Sequence, residues 1–405
     1  MQRGTCQCVD STSPVDPGRV QEQPARLNPS RSRSCVLALA LVALVALVAA
    51  AGACAGNRAG PAPLPSGSQP APRLTRQESG THRRLQAISP VDARVVWASG
   101  VGGTYALTTD GGATWRSRVV PGAEALEFRD VHGVSERVAY LLAAGDGSRS
   151  RIYLTTDGGD SWALLFQNRD LARFCDCFAF WSPTRGVVMA DSVGGRFPLI
   201  ATTDGRSWSE IGDRLPSALP GESAFAASGT CVATHGSRRA WIVTGGAERA
   251  RVLATADGGA TWTAHDAPIE RRGEGAGGFS IAFRDPLHGI VAGGSLAAAT
   301  ERSSTFARSS DGGATWRPAT RPPFPGAIYG VAYAIDRGRD AVATRAPVVA
   351  TGPGGSSWSP DEGDTWFPLP AAAGYWAVGF ADPVHGWLVG DDGRILAIEL
   401  GPAPR

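Results

Sequence analysis

The sequence predicts an all-β fold, a single seven-bladed β-propeller with Asp-box turns. Three observations predict it. One phrase recurs about every fifty residues, a second recurs ahead of several copies of the first, and the composition suits many turns between short apolar runs.

The first phrase is TTDGGATW, from Thr108 to Trp115. It recurs as TTDGGDSW (Thr155 to Trp162), TTDGRSW (Thr202 to Trp208), TADGGATW (Thr255 to Trp262) and SSDGGATW (Ser309 to Trp316), with a worn copy SPDEGDTW at Ser359 to Trp366. The box aspartates lie 47, 47, 53, 54 and 50 residues apart, a spacing that suits one propeller blade. Apolar residues such as Tyr105 to Leu107 and Ile152 to Leu154 run into each box as a strand. The aspartate accepts backbone N–H bonds across a tight turn, glycine supplies the positive φ, and tryptophan opens the next strand. Asp110, Asp157, Asp204, Asp257, Asp311 and Asp361 are therefore structural.

The second phrase reads FRDPLHG at Phe283 to Gly289 and FADPVHG at Phe380 to Gly386. FRDVHG (Phe128 to Gly133) and FWSPTRG (Phe180 to Gly186) are read as the same turn between the first two strands of a blade. On that reading His132, His288 and His385 occupy equivalent positions in separate blades and form no metal set. His82, His235 and His265 lack ligand spacing, so no metal and no cofactor is expected. The blades fall at residues 84–120, 124–168, 173–213, 223–267, 277–320, 326–370 and 374–400. The last has three strands of its own, and Arg73 to Ser79 is the candidate for its missing outer strand, closing the ring. Residues 401–405 form a tail.

Every basic residue is arginine, which excludes lysine chemistry, and a net charge of +2 gives no footprint for nucleic acid. Ahead of the propeller, Val36 to Ala53 is an uncharged apolar run preceded by Arg26, Arg31 and Arg33 and closed by small residues. This is the layout of an export signal; a retained membrane helix is the alternative. Ala51-Gly52-Ala53-Cys54 resembles a lipobox with alanine in place of leucine, so Cys54 is a lipidation candidate. Residues 55–72 are rich in Pro, Gly and Ala and read as a flexible linker. The expected location is the periplasm or cell surface, with the membrane met only through Cys54.

The chain resembles the Asp-box propellers of the Ycf48 family of photosystem II assembly factors, and more closely their non-photosynthetic bacterial relatives, often labelled oxidoreductase or glycosyl hydrolase. The resemblance covers about residues 73–400. It rests on QESGT (Gln77 to Thr81), VWASG (Val96 to Gly100), GGRF (Gly194 to Phe197), ESAFAASGT (Glu222 to Thr230) and YWAV (Tyr375 to Val378). It implies seven blades and a role in binding or assembly.

In a propeller the first strand of each blade lines the channel, so non-repeat polar residues there are the binding candidates: Asp176, Asp191, Arg196, Glu222, Ser228, Tyr329, Tyr375 and Trp376. Asp176, Asp191, Glu222 and Arg196 could instead pair among themselves. Strand alternation puts Cys175 and Cys177 on one face, and a disulfide from one of them to Cys231 leaves one thiol over; three unpaired thiols are the alternative. The reading favoured is a monomeric, non-enzymatic binding or assembly scaffold whose partner is an envelope protein or a glycan. The alternative is a glycoside hydrolase using Asp176, Asp191 or Glu222. No sequence supports oxidoreductase chemistry, since no dinucleotide fingerprint follows a strand.

Overall fold

The computed structural model describes residues 71–269, 275–297, 305–336 and 345–401. The export signal, Cys54, the linker up to residue 70 and the last four residues of the tail lie outside the described residues. Among the described residues no helix is long and apolar enough to cross a membrane.

Seven four-stranded antiparallel sheets make up the described chain. Their first strands are Leu85–Pro90, Glu127–Gly133, Cys175–Ser182, Val232–His235, Ala276–Phe283, Gly330–Tyr333 and Tyr375–Phe380, in blades 1 to 7. These strands pack against one another and are innermost. Blade 7 takes its outer strand from the start of the propeller: Arg73–Gln77 pairs antiparallel with Ile395–Glu399, Arg73 opposite Glu399 and Gln77 opposite Ile395. That pairing removes the free edge of the last sheet.

The boxes form as their letters require. Thr108 Oγ1 donates to Asp110 Oδ1 (2.8 Å), and Thr114 donates its N–H to Oδ1 (2.9 Å) and its hydroxyl to Oδ2 (2.6 Å). Gly111 and Gly112 carry φ of 75° and 89°. These bonds hold the Asp110 carboxyl at about 2, the hydroxyl of Thr114 contributing most. The worn box departs at Glu362, which holds φ 62°. Its carboxylate is paired with Arg284 and accepts the Ala346 N–H (3.1 Å), contacts glycine could not supply.

Five of the six boxes also fasten their blade to the one before. The carbonyl just after the box aspartate accepts a bond from the preceding blade: Gly158 from Arg116, Gly258 from Arg185, Gly312 from Trp241 and Glu362 from Arg308. In blade 1 the donor to Gly111 is Gln77 Nε2 (3.0 Å), on the strand that closes blade 7. Gln77 Oε1 in turn accepts the Trp115 indole N–H (3.0 Å).

Two sequence readings are corrected here. The turn between the first two strands of blade 2 is Val134 to Val138, where the Val134 N–H donates to the Val138 carbonyl. FRDVHG is therefore inner strand, whereas Asp285–His288 and Asp382–His385 are true turns with N–H donors on the aspartate. His132 stacks on Phe180 at 4.4 Å between centroids. Cys175 and Cys177 face opposite sides of blade 3, because a bulge at Asp176 interrupts the alternation. Cys175 packs toward blade 2 with Ile152 and Leu154. Cys177 packs toward blade 4 and is joined to Cys231 by a disulfide. Cys175 is a buried free thiol, its pKa raised to about 12 chiefly by burial.

Blade 4 is unusual. Its inner strand begins only at Val232, and Ser223 to Thr230 forms no strand apart from one bridge, Ser223 to Gly245. This segment crosses the channel. The Ala226 carbonyl accepts Arg129 of blade 2 (3.0 Å), Ser228 Oγ donates to the Tyr329 carbonyl of blade 6 (2.6 Å), and Thr230 Oγ1 bonds Ser280 Oγ of blade 5 (2.7 Å). Gly229, at φ 73°, lies so close to Asp130 that an added Cβ would fall 2.4 Å from Oδ1. Glu222 anchors the start of this plug and is fully buried: its carboxylate takes Arg251 Nε (2.9 Å), Thr244 Oγ1 (2.6 Å) and the Leu219 N–H (2.8 Å).

Two predictions follow from closure and plugging. A chain starting at residue 80 instead of 71 loses the latch strand; its unfolding midpoint should fall by several degrees and it should self-associate through the bared edge, read by calorimetry and light scattering. Arg251→Ala should cost about 3–5 kcal/mol by leaving the Glu222 carboxylate buried and unpaired. Glu222→Gln added to it should recover part of that loss in urea melts.

Candidate binding site at the channel mouth

Five inner strands carry a bulge at the same register. The extra residues are Gln86, Arg129, Asp176, Phe279 and Trp376, in blades 1, 2, 3, 5 and 7. In blades 1, 3 and 7 the residues flanking the bulge point into the two adjacent blade interfaces, Leu85 and Ala87 for example joining different cores. The bulged residue between them is turned toward the axis, which is how a bulge re-aims a side chain. Blade 6 contributes Tyr329, just ahead of its inner strand, and blade 4 contributes Phe225 from the plug.

These side chains meet across blades. The Arg84 guanidinium lies 4.3 Å over the Trp376 ring. Trp376 meets Tyr329 edge-on at 5.0 Å, Tyr329 meets Phe279 at 5.9 Å, and Phe279 meets Phe225 at 4.5 Å. Arg129 completes the circuit: its Nη1 holds the Ala226 carbonyl while Nε and Nη2 hold Glu127 Oε2 (2.9 and 2.7 Å). Below the plug, a cavity of about 540 Å³ runs to the opposite face, lined by Asp130, His132, Thr230 and Tyr333 among others. The plug thus separates the mouth from the far end of the channel.

Unpartnered buried polar atoms gather at the mouth. Both amide atoms of Gln86, Arg84 Nε, Trp376 Nε1 and Asp176 Oδ2 are buried without a hydrogen-bond partner among the described residues. Gln86 is 0% and Asp176 2% exposed. Burial pushes the Asp176 carboxyl well above the usual range; nearby Asp191 adds to this and Arg129 opposes it. Asp191, at the end of the second strand of blade 3, accepts the Ala224 N–H (3.1 Å), and burial raises its carboxyl to about 6. Asp130 is also buried and raised, its oxygens taken by the Val131 and Phe178 N–H groups (both 2.8 Å).

Of the sequence candidates, Asp176, Asp191, Tyr329 and Trp376 come together here, and Ser228 belongs to the plug beneath them. Three do not join. Glu222 is committed to Arg251, Tyr375 is buried in the core with Trp358 and Leu396, and Arg196 is exposed on an outer loop of blade 3 near Arg173 and Glu210. The alternative in which Asp176, Asp191, Glu222 and Arg196 pair among themselves gives way at Glu222 to the Arg251 pair. Sequence reasoning missed Arg84, Gln86, Arg129, Phe225 and Phe279. Arg129 was hidden by the misread turn, and Gln86 and Phe279 by bulges that appear only when two strands pair.

The raised Asp191 carboxyl makes stability depend on pH. Its folded value of about 6 exceeds the unfolded value of about 3.9, so its favourable contribution is complete below pH ~4 and lost as pH rises through 6. Asp191→Asn keeps an acceptor for Ala224. It should match the wild type at pH 4 and exceed it by about 2 kcal/mol at pH 7.5 in denaturant melts.

No family model matches the chain, and no curated protein matches it. Solved structures that share its fold include two of YCF48. The structure described as YCF48 bound to D1 peptide covers 83% of this chain and 98% of its own, at 17% identity and TM-score 0.55. YCF48 from Cyanidioschyzon merolae covers 80% and 98%, at 18% identity and TM-score 0.55. At these identities the likeness is one of fold: the chain is a Ycf48-like seven-bladed β-propeller.

Proposed function

We propose that the chain is an exported, non-enzymatic scaffold of the cell envelope that holds a segment of a protein partner against the channel mouth. The observation that carries this reading is the common register of the bulges. Five blades spend a β-bulge to aim Gln86, Arg129, Asp176, Phe279 and Trp376 at one place, where rings in edge-on and tilted contact adjoin unpaired donors and an unpaired acceptor. Aromatic side chains flanked by arginine are what protein partners most often anchor on. The plug gives that mouth a floor, so a segment rests on it instead of threading through.

Two further points support the reading. One solved structure of the same fold is YCF48 holding the D1 peptide. Export rests on the apolar run Val36 to Ala53, and the Cys177–Cys231 disulfide suits an oxidising compartment. Glu222, one of the three carboxylates a hydrolase would draw on, is held by Arg251.

The test is affinity capture from the envelope of the host with the full chain as bait, beside an Arg129→Ala/Trp376→Ala double variant. One protein enriched by the wild type and reduced at least tenfold by the variant is the expected result. Equal enrichment by both, or none by either, would remove the scaffold reading.

A further inference from the structure

The mouth has two chemically different sides. Blades 7, 1 and 2 present donors: Trp376 Nε1, Arg84 Nε, the Gln86 amide and the Arg129 guanidinium. Blade 3 presents two carboxyl groups, Asp176 and Asp191. We infer that the blade 3 side is a cation subsite, in which Asp176 receives the ammonium or guanidinium of a basic side chain whose methylene stem lies on the ring of Phe225, which Phe279 backs from beneath. The inference rests on the scaffold reading for the source of that side chain, and on nothing else in it.

Four observations support this. First, Asp176 sits on the bulge of the blade 3 inner strand and is aimed at the axis, not into either blade interface, since Cys175 and Cys177 occupy those. Second, its Oδ2 is buried and has no hydrogen-bond partner among the described residues, and no ion pair involves it there. A carboxylate in such surroundings is costly until a donor arrives. Third, the nearest cation is already engaged. Arg129 spends Nε and Nη2 on Glu127 and Nη1 on the Ala226 carbonyl, so it influences Asp176 through space without bonding it. Fourth, the plug residue beside Asp176 is Phe225, whose carbonyl lies 3.7 Å from Cys177 Sγ and whose ring meets Phe279 at 4.5 Å. An aromatic face next to an unpaired carboxylate favours an organic cation over a bare metal ion, because the rings can be covered only by carbon.

The geometry selects among basic groups. Asp191 spends Oδ1 on the Ala224 N–H, which leaves Asp176 as the principal acceptor. A single free carboxylate oxygen at a buried position suits one or two donors, and an ammonium, with three, leaves fewer of them without a partner. A guanidinium carries five donors in a fixed fork and would strand some of them. A lysine-like primary ammonium is the better fit. The chain itself contains no lysine, so no segment of it can supply that group.

The experiment is an NMR titration of the full chain carrying 13C-labelled aspartate and 15N-labelled tryptophan. The probes are n-butylammonium, methylguanidinium and 1-pentanol, the last a neutral match for the first. The expected result is a saturable shift of the Asp176 carboxyl carbon toward the carboxylate position with n-butylammonium, at least tenfold weaker with 1-pentanol. In Asp176→Asn, which keeps the shape and removes the charge, the shift that n-butylammonium causes at the neighbouring Asp191 carboxyl carbon should be lost while the tryptophan indole spectrum shows the fold intact. Equal saturation by 1-pentanol, an unchanged response in Asp176→Asn, or a silent Asp176 would overturn the subsite. If captured partners carry neutral or acidic segments that shift Trp376 and leave Asp176 unmoved, the subsite falls and the scaffold stands. If n-butylammonium binds at Asp176 and no partner is captured, the scaffold falls and the subsite stands.

Discussion

In five of the six boxes the carbonyl that follows the aspartate joins its blade to the one before, and this joint governs how the ring is assembled. The carbonyl points at the preceding blade and must be met by a donor there, whether Arg116, Arg185, Trp241 or Arg308. Such a box is thus a local turn and a joint between sheets at once. The aspartate fixes the turn so that the next carbonyl faces outward from its own blade, and the neighbour's side chain locks it. In blade 1 that neighbour is Gln77, on a strand drawn from the other end of the propeller, and Gln77 also takes the box tryptophan. Blade-to-blade geometry is therefore set by bonds to backbone, which tolerate many side chains elsewhere. This is consistent with a chain that keeps the fold at 17–18% identity to its structural neighbours.

Seven twisted sheets around an axis leave a channel, and this chain treats its two ends differently. The Ser223 to Thr230 segment gives up the start of an inner strand to lie across the opening, tied to blades 2, 5 and 6 and held at its end by the Cys177–Cys231 disulfide. Its small residues are a requirement of the crossing: at Gly229 the Asp130 carboxylate occupies the space of any Cβ. The stretch that reads as the most distinctive phrase in the sequence is thus a floor. What rests on the floor is decided by the bulged residues around it.

The periodic features were legible in the sequence. The boxes, the blade limits and the closing strand depend on local turn chemistry and strand length, which repeat in plain letters. The site was half legible. Asp176, Asp191, Tyr329 and Trp376 stand out because they break the repeat. Gln86 and Arg129 did not, because a bulge is a property of pairing between two strands and leaves no mark in either alone. Phe128 to Gly133 shows the failure most clearly: its letters match a turn phrase, yet its neighbours place it one strand segment earlier. The same bulge put Cys175 and Cys177 on opposite faces despite their spacing. Glu222 was misplaced for another reason; its partner Arg251 lies within the repeat and carries no local signal of being buried.

The latch strand has a consequence for the order of events in biosynthesis. Arg73–Gln77 is the first piece of the propeller to leave the ribosome, and its partner Ile395–Glu399 is almost the last. Six sheets can form from neighbouring residues as they emerge, but the seventh stays open until its own last strand, Ile395–Glu399, has emerged. Throughout that interval the early strand must be kept from pairing with anything else, and contacts of such long separation form slowly. A strand of Arg, Leu, Thr, Arg and Gln, mostly exposed and charged at two of five positions, is poorly suited to sticking to strangers while it waits.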